Sequence, residues 1–383
     1  MKLLITVPTY RRSPDEPDSG PYDHPIPLGM EGPLPRLIAS IAAAGADTPV
    51  AVIVAGTDAT IAGLAVEQVR REIEPYRDKI RIGVFGIDDL DHLVGRRSAN
   101  CIGLIGYGKV RNLQLLIAAL YGADAVIGLD DDEEVPAGYL ARAQRFIGAE
   151  YAGEPVLGVV GPYREAEDGL PARAANPLLE RGRWIRNGIS ALAAASQGLV
   201  DTPIGFGGNI VIHRDLFMRV SFDPYIPRGE DIDYITTCRM HGDRFWWDNE
   251  LFVDHFPPRL FRRSPCAMLR SDIIRFIYSR EKIRVGMERG LLSPAPLDPY
   301  PGRFLRDDLP VLARDALLEL CRDEFRTMRE AEGFVERALD WAQSAAAEFF
   351  RIEDEWKELT AALTMDRTAV GYVKNKLEGE KHG

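Results

Sequence analysis

Brief apolar runs that alternate with helix-spaced stretches set the strongest limit on how this chain folds. Val50-Ala51-Val52-Ile53-Val54 is apolar at every position, so the strand it forms has both faces buried, and helices between such strands supply the crossovers of a parallel sheet. The pattern predicts strands at 3–7, 50–55, 80–85 and 125–129, with helices at 34–44, 61–73 and 110–121. The fold class is therefore α/β with a mostly parallel sheet. In open sheets of this kind ligands bind beyond the carboxyl ends of the strands, which sends the loops after Val7, Ala55, Phe85 and Leu129 to one site.

Two of those loops are long and have no period. Residues 11–35 are rich in Pro, Gly and Asp, and residues 86–108 carry Asp88, Asp89, Asp91, Arg96, Arg97 and several glycines. Loops of this length in a compact domain are usually lids or binding loops, so both are expected to be mobile. Beyond about residue 261 strand-like runs cease. Val335, Leu339, Ala342, Ala346, Phe349, Ile352, Trp356, Leu359 and Leu363 recur at spacings of three and four, one apolar stripe of an amphipathic helix. The stripe suits packing within the chain; its near-heptad spacing also suits a homo-oligomer joined through the C-terminal helices. Residues 374–383 are expected to fray.

Composition excludes more than it assigns. With 46% hydrophobic and 27% charged residues the chain is an ordinary globular one. Its 58 acidic against 47 basic residues give a net charge of −11, which opposes broad attraction to nucleic acid or anionic lipid. Cys101, Cys238, Cys266 and Cys321 lie far apart with no C-x-x-C pair, so neither a disulfide framework nor a zinc site is expected, and a reducing, cytoplasmic setting is the simpler expectation. The apolar start of the chain lacks a small-residue cleavage site and reads as a first strand. The longest apolar stretch, residues 113–129, is broken by Gly122 and Asp124 and is too short for a membrane span.

The chemistry gathers in two acidic clusters. The run Val126-Ile127-Gly128-Leu129 ends in Asp130-Asp131-Asp132-Glu133-Glu134, placing carboxylates where an open sheet binds ligands. Hard divalent cations take oxygen ligands, and Mg²⁺ usually combines one or two carboxylates with substrate phosphates. Asp130 and Asp132 are candidate metal ligands; an acidic cap on a helix after Pro136 is the bland alternative. The second cluster, Glu230-Asp231-Ile232-Asp233, leads to His255. Asp233 suits a capping role, and His255 suits either a buried, hydrogen-bonded imidazole or a further metal ligand. Lys109 and Arg111 open a helix after a glycine-rich loop, where cations and free N–H groups can meet phosphates. Trp246-Trp247 fits stacking on an acceptor sugar or plain core packing.

In order along the chain, Pro8-Thr9-Tyr10-Arg11, Val110-Arg111-Asn112-Leu113, Leu129-Asp130-Asp131-Asp132, Gly207-Gly208-Asn209 and the stretch from Gly229-Glu230-Asp231 to His255 resemble family 2 glycosyltransferases with the GT-A, Rossmann-like fold. The resemblance covers roughly residues 1–260, with a donor half at about 1–135 and an acceptor half at about 136–260; residues 261–383 would be a helical extension. It implies an enzyme of the hexosyltransferase type, with Mn²⁺ or Mg²⁺ held by the Asp-x-Asp pair Asp130 and Asp132 and by His255. It also implies a donor such as a UDP- or GDP-sugar, contacted by Pro8, Thr9, Tyr10, Arg11, Asp58, Lys109, Arg111, Asn112, Asp130, Asp131, Gly208 and Asn209. Asp231 would be the catalytic base and Glu230 the group that orients a hydroxyl acceptor.

Where many family members carry paired Asp residues after the second strand, this chain has Ala55-Gly56-Thr57-Asp58, which leaves the base of the nucleotide open. The Gln-x-x-Arg-Trp motif of processive synthases is absent, which favours transfer of a single sugar. A retaining enzyme on the same scaffold would share the metal site without needing a base at Asp231. A sugar-nucleotide nucleotidyltransferase and a non-catalytic scaffold acting through its helical tail are the rivals from other classes.

Overall fold

A computed structural model of the protein describes residues 1–15, 22–45, 47–94, 100–164, 175–195, 198–257 and 263–379. Among these, strands β1 (Leu3–Arg12), β2 (Val50–Gly56), β3 (Ile82–Phe85), β4 (Ala125–Leu129), β5 (Gly158–Val160), β6 (Leu199–Asp201), β7 (Asn209–His213) and β8 (Trp246–Asp248) form a sheet ordered β6-β8-β5-β7-β4-β1-β2-β3. The two-residue strand Ile26–Pro27 adds to β1. β1 to β4 run parallel, β7 lies antiparallel between β4 and β5, and β6 lies antiparallel on β8. The sheet is mostly parallel, as the apolar runs predict.

Alternation along the strands sorts side chains into two layers. Leu4, Ala51, Ile53 and Val126 join one apolar cluster, while Leu3, Ile5, Val50, Val52 and Ile127 join the other. Helices α1 (Leu34–Ala43) and α2 (Ala62–Ile73) cover the second cluster. The first is covered by α3 (Tyr107–Tyr121), α4 (Glu230–Met240), α5 (Pro265–Glu288), α6 (Leu309–Leu320), α7 (Met328–Thr364) and α8 (Arg367–Glu378). β1 extends to Arg12 rather than stopping at Val7 because its pairing with β2 continues to Gly56. α3 begins three residues before its expected start, behind Gly106 in a positive-φ conformation.

The stripe on α7 is spent inside the chain. Val335, Ala342, Ala346, Phe349, Ile352, Trp356, Leu359 and Leu363 are buried and Leu339 is half-buried, and Trp356 donates its indole N–H to the Phe217 carbonyl at 2.9 Å. α8 stays helical to Glu378, anchored by Lys376 and Tyr372 on Asp89, so fraying does not begin at Lys374. Residues 380–383 lie outside the described residues, as do 16–21 of the first long loop and Arg96 and Arg97 of the second.

The cysteine expectation needs correction. Cys266, in the first turn of α5, and Cys321, at the end of α6, form a disulfide across 55 residues. Sequence spacing hides it because the two helices meet only in the folded chain. Cys101 and Cys238 are buried and free. The cysteine pattern therefore no longer argues for a reducing compartment. No helix among the described residues is long and apolar enough to cross a membrane.

Candidate active site

A cavity of about 560 Å³ opens at the carboxyl ends of β1 and β4. β1 contributes Pro8 and Tyr10, the turn after β4 contributes Asp130, Asp131 and Asp132, and α3 contributes Tyr107 and Arg111. The first turn of α4 adds Glu230 and Asp231, and α5 adds Asp272 and Arg275. The antiparallel register of β7 on β4, with Asn209 opposite Leu129, brings Gly207 and Gly208 beside the acidic turn.

Gly208 is demanded by that turn. A Cβ there would lie 2.1 Å from Glu133 Oε1, 2.5 Å from Tyr163 Oη and 2.7 Å from Asp130 Oδ2, closer than any side chain tolerates. Glu133 is fully buried, accepts from the Asp130 N–H at 3.0 Å, and leaves its other oxygen without a hydrogen bond. Burial, then the charges of Asp130 and Asp132, push its pKa well up. Asp131 accepts from Thr9 Oγ1 at 2.6 Å, and burial followed by the neighbouring Asp132 raises it to about 7. A small sheet of Glu133–Glu134, Val253–His255 and Tyr163–Arg164 carries His255 to the same place. Its Nε2 lies 3.5 Å from Asp132 Oδ2 and its ring rests on Tyr163 at 4.6 Å between centroids.

Arg111 joins the two acidic clusters. Its Nη2 donates to Asp130 Oδ1 at 2.8 Å and its Nε to Glu230 Oε1 at 3.1 Å, with the guanidinium buried. Burial works against its charge, but Asp130 and Glu230 more than restore it. Glu230 is raised to about 7, chiefly by burial and despite Arg111. Asp231 accepts from the N–H groups of Gly207 at 3.0 Å and Ile232 at 2.7 Å; burial still raises its pKa. Each of its oxygens is thereby aimed by one backbone donor and keeps a lone pair for another partner.

The expected site residues divide. Pro8, Tyr10, Arg111, Asp130, Asp131, Asp132, Glu230, Asp231 and His255 line the cavity, with Thr9 and Gly208 against the acidic turn. Asp58 and Lys109 line a separate hollow of about 200 Å³ beside Gly56, Ile102 and Gly103, where Asp58 caps a turn by accepting from Thr60. Five residues do other work. Arg11 is fully buried on Glu72 at 2.6 Å, because β1 continues through it, and it does not line the cavity. Asn112 bonds the backbone of Cys101 and Phe222, and Asn209 bonds Tyr139 and the Leu251 carbonyl, so both fasten loops from within the core. Trp246 and Trp247 are buried in β8, Trp247 donating to Asn249 Oδ1 at 2.7 Å, and offer no face to an acceptor.

Sequence reasoning missed Tyr163, Asp23, Arg228, Asp272 and Arg275, all of which line the cavity. Arg228 directly precedes the Gly229-Glu230-Asp231 motif, a signal that was available. Arg275 has none: it reaches the site only because α5 packs behind Gly229, whose Cβ would fall 1.8 Å from Arg275 Nη1.

Among the described residues no three His, Cys, Asp or Glu side chains converge tightly enough to form a metal site by themselves. The donor set nevertheless fits a hard divalent cation shared with a diphosphate. Asp132 and His255 face each other at 3.5 Å, Asp130 is next to them, and the unbonded oxygen of Glu133 is buried behind. Mg²⁺ sites of that kind take one or two carboxylates and complete their sphere with phosphate and water.

No protein-family model matches the chain, and no curated protein matches it in sequence. Solved structures do. A mannosyltransferase from Pyrobaculum calidifontis in complex with GDP-Man and Mn²⁺ shares 19% identity over 99% of this chain and 88% of its own, with a TM-score of 0.43. Glucosyl-3-phosphoglycerate synthase from Mycobacterium tuberculosis, in complex with Mn²⁺, UDP and phosphoglyceric acid, shares 18% identity over 73% of this chain and 78% of its own, with a TM-score of 0.40. The same synthase with Mg²⁺ and UDP shares 17% over 79% and 85%, with a TM-score of 0.39. At these identities and TM-scores the ligands and activities are properties of those proteins alone.

Proposed function

We propose that the chain is a metal-dependent glycosyltransferase that moves one sugar from a nucleoside-diphosphate sugar to a hydroxyl acceptor with inversion. The observation that carries this reading is Arg111, which holds Asp130 of one acidic cluster and Glu230 of the other in one cavity. A metal-and-phosphate end and a base end are thus set side by side. Asp132 and His255, with Asp130, would hold Mn²⁺ or Mg²⁺, and the hollow at Asp58 and Lys109 offers room for the nucleotide's base. When bound, the cation offsets negative charge growing on the leaving diphosphate.

The chain's own residues supply the rest. Asp231, oriented by two backbone N–H groups, accepts the acceptor's hydroxyl proton as its oxygen attacks the anomeric carbon and the bond to the diphosphate breaks. Its raised pKa brings it nearer the operating pH, where a general base is most effective. Glu230 orients the acceptor and holds Arg111. The donor half spans about residues 1–135 and the acceptor half about 136–260.

Thermal unfolding with UDP- and GDP-sugars, with and without Mn²⁺, tests the donor end: the matching ligand raises the melting temperature only with the metal, and Asp132→Ala abolishes the rise. Asp231→Asn should keep that rise yet lower turnover by at least a hundredfold. No shift with any nucleotide sugar, or Asp231→Asn turnover within a few-fold of wild type, would sink the respective half of the proposal. Product anomericity by NMR decides inversion.

A further inference from the structure

The cavity is bipolar. On the side of the acidic turn, Arg111 is the one arginine or lysine among the described residues that line the cavity, against Asp130, Asp131, Asp132, Glu230 and Asp231. On the other side the balance reverses: Arg181, Arg183, Arg186, Arg228 and Arg275 line the wall against Asp23, Glu180 and Asp272.

Three of these arginines converge on one carboxylate. Asp272 receives Arg275 Nη2 at 2.9 Å, Arg228 Nη1 at 3.2 Å and Arg181 Nε. Burial alone would push Asp272 up, but Arg275, Arg228 and Arg181 outweigh it, so it stays ionised and cancels a single charge. Arg228 also meets Asp23 at 2.8 Å, and Asp23 is shared in turn with Arg263 at 3.6 Å. Arg275 is the most telling member. Its side chain is 8% exposed, it donates to Tyr300 Oη at 2.8 Å, and its Nε has no hydrogen-bond partner. Gly229, at φ 71°, lets this guanidinium sit against the backbone two residues before Asp231. Arg275 is the buried guanidinium of this wall, while Arg181, Arg183 and Arg228 are half-buried and Arg186 is exposed, open to a ligand in the cavity. A buried guanidinium with an unbonded N–H is costly to hold unless an anion completes it, and planar forks of this kind match phosphate and carboxylate.

We infer that this wall is an acceptor subsite for an oxyanion, so that the acceptor carries a phosphate or carboxylate close to the hydroxyl it presents to Asp231. The inference rests on the glycosyltransferase reading for the word acceptor, and on the arginines alone for the anion. The subsite is built by α5 and by the helix Arg181–Ala193, which gives the C-terminal helices a direct part in substrate choice. The donor's diphosphate belongs to the opposite, metal-binding end, so the two anions bind together without competing.

Calorimetric titration of the full chain in EDTA, with glycerol 1-phosphate, glycerate and glycerol as matched probes, separates the cases. The two anions should bind and glycerol should not; binding of only one of them identifies which oxyanion the wall takes. Arg275→Gln and Arg181→Gln should each weaken that binding at least tenfold, while leaving the Mn²⁺-dependent binding of nucleoside diphosphate within twofold. Asp132→Ala should do the reverse. The inference is overturned if the anions bind no better than glycerol, if both arginine variants bind them like wild type, or if a nucleoside diphosphate with Mn²⁺ displaces them. Should nucleotide binding fail in the wild type while the anions still bind, it is the glycosyltransferase reading that falls and the anion site that stands. Arg181 is partly exposed, so its variant reports even if Arg275→Gln fails to fold.

Discussion

Glu230 is held to about 7 by burial that its ion pair with Arg111 only partly offsets. Its folded pKa thus exceeds the ordinary value near 4.3. A carboxylic acid raised in this way favours the folded state below its unfolded pKa, and that contribution is lost as pH climbs through the folded pKa. Stability should therefore fall between about pH 4.5 and pH 7, by on the order of 3 kcal/mol at most from this residue. Glu230→Gln keeps a hydrogen-bond acceptor for Arg111 and removes the titration. Urea unfolding at pH 5 and pH 7.5 should show a smaller difference between the two pH values in the variant than in wild type. An equal difference would mean that Glu230 ionises freely.

At the scale of elements, the helix bearing Glu230 and Asp231 is aimed by a buried ion cluster. Lys282 on α5 donates to Asp233 at 2.5 Å, to Asp223 at 3.1 Å and to Thr237 at 3.1 Å, and Ser279 and Tyr278 add bonds to the same two carboxylates. Burial opposes the charge on Lys282, but Asp233 and Asp223 raise its pKa; Asp223 itself is pushed up to about 6 by burial. Removing the cation leaves two buried carboxylates facing each other, a change that costs about 3 to 5 kcal/mol. Lys282→Met should lose that much in chemical denaturation, and adding Asp223→Asn and Asp233→Asn should recover most of it. A loss below about 1 kcal/mol would show that the cluster does not hold the helix. This cluster also shows where sequence reading stops. Strands such as Val50–Gly56 and Ala125–Leu129 were legible because burial on both faces writes an unbroken apolar run. So were the two acidic clusters, which follow a strand end and open a helix. The strands Glu133–Glu134 and Val253–His255, which set His255 against Asp132, are two and three residues long and carry no period. Asp233 does not cap α4 as its position suggested: the helix opens at Gly229 with no side-chain cap bond, and Asp233 pairs instead with Lys282, 49 residues away on another helix.

Across the whole molecule, the shift in character near residue 260 marks a change of secondary structure within a shared core. A single apolar cluster runs from Leu4 and Val126 in the sheet through Phe217 to Ile277, Phe349, Trp356 and Leu377. α5 also walls the cavity with Asp272 and Arg275, and the Cys266–Cys321 disulfide ties its first turn to α6. Burying a large side chain such as Trp356 or Phe349 is worth about 1.5 to 3 kcal/mol, and many such residues on α5 to α8 face the sheet layer. A chain ending at residue 260 would expose the face of α3 and α4 that these helices cover. It should unfold without a cooperative transition, expose apolar surface to a hydrophobic dye, and lose nucleotide binding even though Asp130, Asp132, Asp231 and His255 are all retained. A truncated protein that melts cooperatively and still binds nucleoside diphosphate with Mn²⁺ would show instead that the helices are an independent appendage, and that the oxyanion wall is an addition to a site complete without it.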